Sequence, residues 1–374
     1  MDVGSTVFRI AYFSATGNSF DAATIVHQEL SAAGYTAVLE DLCVALPPGG
    51  RRHSAPKRSA ETTVRRSEYW VFVFPVYAWA PPALVLRSLR SMQRLPGHLR
   101  QSAAVLAVDG GGGLRAAECA RRVLRRRRVD VVVTARAGYP DNWSQMLQPP
   151  TETDAERQRS DGRAAVRAFA GDLVSGRRRY YRPRSLVAWI GAAVGGVFRL
   201  YGRRYLGQSF AADHRCTSCR LCERTCPVGA IRITKRRGAH PYWNARCESC
   251  NRCINICPEQ AIVTSPARIA AVTAVLSALV FGGLQLLQRF VWPRFSVVTP
   301  PMYLAGAGAV LIAAAALYFP LGKPFVRVLH TAPGIKHAMN WGFNCKWRRY
   351  CAPGFTPKRS TCVSSRATSM LNRT

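Results

Sequence analysis

Acidic residues are scarce in this chain of 374 residues: 20 Asp and Glu stand against 53 Lys and Arg, for a formal net charge of +33. Lysine is scarce as well, so the surplus is almost wholly arginine, and with the abundant alanine this reflects a biased coding composition. No helix-turn-helix, RNA-binding signature or basic-aromatic stripe accompanies the charge, which is spread along most of the chain, so no nucleic-acid partner is expected. An arginine-rich surface facing anionic lipid is the simpler account. Met1 to Asn18 lacks a basic start followed by an apolar core, so no secretory signal is expected. A nucleophile, acid or base constellation is missing too: Asp109 and His27 are lone titratable groups, which reads as structural.

Cysteine is plentiful and concentrated. Eight of thirteen fall between Cys216 and Cys257, in two copies of C-x2-C-x2-C-x3-C-P, CTSCRLCERTCP and CESCNRCINICP. This is the spacing of a two-cluster bacterial ferredoxin. A [4Fe-4S] cube needs four thiolates; the tight turns aim three at one cube, while the fourth, on the departing helix, serves the other. The expected ligand sets are therefore Cys216, Cys219, Cys222 and Cys257 for one cluster, and Cys247, Cys250, Cys253 and Cys226 for the second. Ala230 and Ile231 recur as Ala261 and Ile262 at the same offset of 31 residues, which implies two superposable halves. Zinc knuckles or disulfides explain the C-x2-C pairs, but neither needs the third cysteine or the proline after the fourth. Cluster thiolates need a reducing compartment, so the soluble parts should face the cytoplasm. Cys345, Cys351 and Cys362 in the tail match no common metal spacing and read as free thiols.

Two uncharged apolar stretches follow, Ile269 to Gln288 and Met302 to Gly322, each with the roughly 20 residues needed to cross a bilayer as a helix. Two arginines lie between them. Arg268 and the basic cluster domain precede the first, and Lys323, Arg327, Lys336, Lys346, Arg348 and Arg349 follow the second, so the clusters and the tail are expected together in the cytoplasm. A buried hairpin of a soluble domain is the alternative. Ser185 to Leu206, short, apolar and flanked by arginines, reads as a helix lying at the membrane surface or packed under the cluster domain.

The N-terminal part alternates strand and helix. Strands are expected at Val7 to Ser14, Thr36 to Glu40, Tyr69 to Pro75, Ala103 to Val108 and Val129 to Thr134. Helices are expected from the first strand's turn through Ala32, and at Pro82 to Arg94, Leu114 to Arg127 and Glu152 to Ser175. That order implies a doubly wound parallel α/β sheet whose ligand sits at the carboxyl ends of the strands. The first strand runs into Ser14-Ala15-Thr16-Gly17-Asn18-Ser19 and a helix N-terminus, a natural phosphate site. The turn has no lysine, so it is no Walker motif.

These residues resemble the flavodoxin phosphate loop, [ST]-x-T-G-x-[ST], at Ser14, Thr16, Gly17 and Ser19. The resemblance implies FMN, with Tyr77 and Trp79 of the loop after the third strand stacking on its ring. Asp109, Gly110 and Gly111, followed by Gly112 and Gly113, would approach it after the fourth. Gly49 to Ser67 is a basic insertion, and the chain is far more basic than flavodoxins usually are. Over Val7 to Ile262 the chain resembles the flavodoxin/ferredoxin fusion proteins, which implies electron transfer and leaves the substrate open.

The expected organisation is a flavodoxin-like FMN domain (1–178), a basic linker and interfacial helix (179–206), a small α+β ferredoxin domain with two [4Fe-4S] clusters (207–266), a transmembrane helical hairpin (267–322) and a basic tail (323–374). The expected function is electron transfer at the cytoplasmic membrane between FMN, the clusters and an unidentified redox protein or small acceptor. The alternative is an FMN-dependent reductase of a quinone or other small acceptor, with the clusters as internal wire.

Overall fold

The computed structural model describes residues 6–45, 68–92, 101–233, 240–295, 298–318 and 335–357. The insertion at Gly49 to Ser67 and the cysteine at 362 lie outside them. The elements of the first domain are β1 (Val7–Tyr12), α1 (Asn18–Ala32), β2 (Thr36–Asp41), α2 (Leu42–Ala45), β3 (Glu68–Pro75), α3 (Ala83–Ser91), β4 (Gln101–Asp109), α4 (Ala116–Arg126), β5 (Val129–Gly138) and α5 (Glu152–Val174). A sixth strand, β6 (Arg179–Tyr180), pairs parallel with the middle of β5. The sheet thus runs two residues past the boundary expected at 178.

All pairings in this sheet are parallel, in the order β2-β1-β3-β4-β5-β6. Up to β5 this is the flavodoxin-like order, in which the direction of winding reverses between β1 and β3. Strand alternation explains the two cores. Phe8, Ile10 and Tyr12 face α1 and α5, whereas Ala11 and Phe13 face the side of α3 and α4. Gly162 lets α5 approach β5, because a Cβ there would collide with the Gly138 carbonyl and the Tyr139 ring.

A helix then crosses the molecule: α6 (Leu186–Val197), a π-helical turn (Phe198–Gly202) and α7 (Arg203–Ser209). At Gly191 and Gly195 it presses on Trp79, Leu114, Ala78 and Ala80 of the first domain. At its far end Gly207 presses on Cys247. The linker helix is therefore packed against both domains, while Leu186, Val187, Trp189, Ile190 and Val197 face outward and more than half exposed.

The cysteine-rich domain is two matched halves. Strands β7 (Phe210–Ala212) and β8 (Ile231–Ile233) flank helix α8 (Leu221–Thr225), and β9 (Pro241–Trp243) and β10 (Ile262–Thr264) flank α9 (Arg252–Ile256). β7 pairs with β10 and β8 with β9, both antiparallel. Left-handed residues recur at the 31-residue offset, Ser218 with Ser249 and Arg220 with Asn251, where each cysteine turn doubles back. The interior of this domain is continuous with the α3/α4 face of the sheet.

Two apolar helices follow, α10 (Pro266–Leu286), which continues through irregular turns to Arg294, and α11 (Pro300–Leu317). Both are long and apolar enough to cross a membrane, and only 6% of each apolar window is buried, unlike a core hairpin. They touch where Gly283 faces Val310, the close approach small residues allow. Tyr205 of α7 donates to the Ala315 carbonyl at 3.1 Å and tilts against Tyr318, joining the pair to the cluster domain.

The tail returns to the same domains. Helix α12 (Lys336–Asn340) sits at the foot of α10, where Arg268 donates to the Met339 and Phe210 carbonyls and to Asn340. Buried Asn344 accepts from the Thr264 amide at 2.8 Å and donates to the Ser144 carbonyl at 2.7 Å, tying tail, β10 and the loop after β5 together. Asn344→Ala strands both groups out of water, so we expect a loss of about 2–4 kcal/mol, measured by chemical denaturation, and faster proteolytic release of the tail.

Candidate redox centres

The eight cysteines of the repeat gather around two small cavities of similar size. Cys226, Cys247, Cys250 and Cys253 line the first, which Cys222 also reaches. Cys216, Cys219, Cys222 and Cys257 line the second. The second cavity so draws three cysteines from the first motif and one from the second, and the first draws three from the second motif together with Cys226 and Cys222 of the first. None of the described cysteines forms a disulfide. Among the described residues no three His, Cys, Asp or Glu side chains converge on one metal ion; four thiolates spread around a cube, one per iron, need no such convergence.

Burial and crowding act on these thiols. Burial, then the neighbouring cysteines, pushes Cys222 up to about 12. Cys250 rises to about 11, chiefly through burial, with the Arg252 charge opposing. Cys247 and Cys253 are raised further, again chiefly by burial. Bare thiolates are disfavoured in such a site, and iron supplies the positive charge that makes them stable, with release of protons. Backbone N–H groups also meet sulfur: Ala230 donates to Cys226 Sγ at 3.2 Å and Ser249 to Cys247 Sγ at 3.4 Å. Such bonds are among the terms that set a cluster's potential.

The phosphate turn lies at the carboxyl end of β1, at the winding reversal. Gly17 has φ 109°, the left-handed geometry glycine accommodates. Its N–H donates to Ser14 Oγ at 3.0 Å. Asn142 donates to Thr16 Oγ1, and Asn18 donates to the Pro140 carbonyl at 2.9 Å. Ser19 Oγ is buried and has no partner, an orphaned donor at the start of a fifteen-residue helix. A phosphate there would satisfy it, together with the first N–H groups of α1, so these residues fit the group.

Ser14, Ala15, Thr16 and Ser19 are buried, and the cover comes from distant parts of the chain. The Ala352 N–H donates to the Thr16 carbonyl at 2.7 Å, Tyr350 donates to Asn18 Oδ1 at 2.7 Å, and Phe355 packs on Phe20 and beside Gly17. Buried Arg159 backs Tyr350 from α5, 3.5 Å from its hydroxyl, while ion-paired to Glu152 and Glu156. From the other side Arg252 of the second cysteine motif donates to the Ala15 and Ser14 carbonyls.

The two ring-side loops divide. Trp79, with φ 61° and half exposed, lies beside Gly112, and Gly111 faces open space. Gly110 is pressed against Asp141. The Asp109 carboxylate is engaged within the protein: it accepts from the Gly111 and Gly112 N–H groups at 3.1 and 2.7 Å and pairs with Arg136 at 2.6 Å, which holds the glycine loop in shape. Tyr77 stands edge-on to Phe13, and its buried hydroxyl, raised well above its ordinary value chiefly by burial, is surrounded by Cys43, Glu248, Cys250 and Arg252. It occupies the seam between the domains, apart from Trp79. The residues sequence reasoning missed, Glu248, Arg252 and Asn255, are three of the six positions at which the second motif departs from the first, which has Thr217, Leu221 and Arg224 there. Glu248 accepts from the Ala83 N–H at 3.0 Å, capping α3, and Asn255 accepts from Ser144 and from the Tyr350 N–H.

If Gly207 sets the place of Cys247, Gly207→Val must displace it, since a Cβ there would lie 2.5 Å from Cys247 Cβ and 2.8 Å from its sulfur. Iron content should fall toward that of a single cluster, while Gly196→Val, where a Cβ meets open space, leaves it unchanged.

Residues 215–261 match the family model of the 4Fe-4S dicluster domain. No curated protein matches the chain. Among solved structures, a flavodoxin from Streptococcus pneumonia TIGR4 is 14% identical, with 46% of this chain and 99% of that chain covered and a TM-score of 0.29. The NAD(P)H:quinone oxidoreductase from Methanothermobacter marburgensis is 18% identical over 44% of this chain and 98% of that chain, with a TM-score of 0.32. Two-electron reduced Megasphaera elsdenii flavodoxin is 13% identical, with 42% and 98% covered and a TM-score of 0.26. The strand order carries the fold assignment and the cysteine pattern the cluster assignment: the chain is a fusion of a flavodoxin-like α/β domain with a 4Fe-4S dicluster domain, followed by two apolar helices.

Proposed function

We propose that the chain is a membrane-anchored electron-transfer protein that passes electrons between FMN and two [4Fe-4S] clusters, one in each cysteine-lined cavity. The observation that carries this reading is the direct apposition of the phosphate turn and the second cysteine motif, joined through Arg252. FMN, when bound, takes up a pair of electrons and releases them singly, and each cluster carries one. Cys216, Cys219, Cys222 and Cys257 hold one cluster and Cys226, Cys247, Cys250 and Cys253 the other. Ser14 to Ser19 hold the phosphate, with the Ser19 hydroxyl and the α1 N–H groups as donors, and Trp79 with Gly110 and Gly111 borders the ring. The protein's own part is to bind, to space the centres and to exclude water from the turn, which the tail residues Tyr350 to Phe355 cover.

The membrane reading draws on the two apolar helices and on the tail's return to the same domains, which puts both ends of the hairpin on one side. The basic flanks orient that side to the cytoplasm. The outward apolar face of α6, bordered by arginines, rests on the anionic lipid surface. The redox partner is a protein or a small acceptor reached from that side. A reporter fused after Thr374 should be active only in the cytoplasm and one inserted after Phe295 only outside. Release of intact protein by a carbonate wash would rule out spanning helices.

Anaerobic reconstitution should yield about eight iron and eight sulfide per chain. Thr16→Ala/Ser19→Ala removes two hydroxyl donors to a dianion, each worth about 1.5–3 kcal/mol, so FMN affinity should fall at least tenfold while riboflavin affinity, measured by fluorescence quenching, stays level. Equal weakening of both would place the phosphate elsewhere.

A further inference from the structure

The two cysteine motifs superpose at an offset of 31 residues, yet only the second touches the phosphate turn, and one residue accounts for the contact. Where the first motif has Leu221, the second has Arg252, between Cys250 and Cys253. The Arg252 side chain is 3% exposed. Its guanidinium donates to the Ala15 carbonyl at 3.0 Å, to the Ser14 carbonyl, to the Thr225 carbonyl at 2.8 Å and, at 3.8 Å, to Cys43 Sγ. Ser14 and Ala15 belong to the phosphate turn, and Thr225 immediately precedes Cys226, a wall of the first cavity. Arg252 itself lines that cavity. Every acceptor is neutral, and among the described residues no carboxylate pairs with it within 4 Å, whereas buried Arg159, Arg121 and Arg203 each have one; Arg115 and Arg268 share the lack, but neither lies between the phosphate turn and a cysteine-lined cavity. A buried guanidinium without a carboxylate is costly unless an anion lies close by.

We propose that Arg252 couples the two redox centres: its charge is balanced jointly by the FMN phosphate and by the cluster of Cys226, Cys247, Cys250 and Cys253, which makes that cluster the flavin's direct exchange partner. The inference rests on the proposed presence of FMN and two clusters. In each transfer the flavin loses one electron and this cluster gains one, and no bond is made or broken in the protein. The added negative charge arrives beside a fixed cation in a low-dielectric seam, so reduction of this cluster is favoured over reduction in the same cage without Arg252. The cluster of Cys216, Cys219, Cys222 and Cys257 lies beyond it, with Thr217, Cys219 and Arg220 exposed, and is the port through which electrons reach or leave the partner. Glu248 and Asn255 act with Arg252 as positioning residues, fixing the second motif on α3 and on the loop after β5.

The test compares wild type, Arg252→Gln and Arg252→Lys as full-length, anaerobically reconstituted protein, with iron and flavin content determined first. EPR-monitored redox titration of Arg252→Gln should show one cluster harder to reduce by at least tenfold in its one-electron equilibrium, 59 mV, with the other unchanged. FMN should weaken at least tenfold and riboflavin hardly at all. Arg252→Lys keeps the charge and should hold the cluster potential near wild type, a rescue that a packing role alone would not give. Unchanged potentials, or an unchanged ratio of FMN to riboflavin affinity, in loaded Arg252→Gln would overturn the proposal. If Arg252→Gln does not retain its iron, Arg252→Lys decides: a wild-type cluster potential supports the coupling, and a potential shifted tenfold or more contradicts it. Wild-type protein that takes up no FMN, or only one cluster, would instead defeat the reading on which the inference rests.

Discussion

The architecture turns on one buried cation at a domain seam. Arg252 ties the turn after β1 to the helix before Cys226, and the neighbouring contacts of Glu248, Asn255 and Asn344 are arranged around the same junction. Because its acceptors are backbone carbonyls, the seam is defined by main-chain position and tolerates little sliding. The consequence reaches both ways. The phosphate turn is closed from one side by the cysteine domain and from the other by Tyr350 to Phe355, and the first cluster cavity is pressed from above by Gly207 of α7. A conventional anion turn has become an interior feature of a larger assembly.

The sheet topology puts this junction where it is. Winding reverses between β1 and β3, so the loops after these strands diverge and leave a crevice at their carboxyl ends. The turn from Ser14 to Ser19 occupies one side. Tyr77, on the loop after β3, turns into the seam toward Cys250, while Trp79 remains at the surface beside the glycine loop and α6. One loop thereby serves two faces, because the left-handed conformations of Ala78 and Trp79 bend it sharply between them.

The sheet, its order of elements and the two matched halves of the cysteine domain were legible in the sequence because each rests on local signals: alternating burial, a hydroxyl turn before a helix, a repeated cysteine spacing. Strands β4 and β5 proved longer than their apolar runs suggested, since Gln101 and Arg136 sit in the ladder with their polar ends at the margins. The two-residue strand β6 had no periodicity to betray it. The tail was read as a basic extension, yet Tyr350, Ala352 and Phe355 complete the phosphate turn from more than 300 positions away, and no local pattern encodes such a contact. Asp109 was expected near the flavin. The structure spends its carboxylate on Arg136 and the glycine loop, a partnership invisible before β4 and β5 are paired. Arg252 left only a faint trace, as one of six positions at which the second motif differs from the first; Glu248, Arg252 and Asn255 are the three of these that reach across the seam.

The central claim is that electrons pass within one chain across this seam. Rapid reduction of the flavin by laser flash in reconstituted full-length protein, followed by absorbance at flavin and cluster wavelengths over a range of protein concentrations, tests it most directly. Reoxidation of the flavin by the clusters at a rate independent of protein concentration is the predicted result. A rate that rises in proportion to concentration, or a flavin that stays reduced while the clusters remain oxidised, would contradict it.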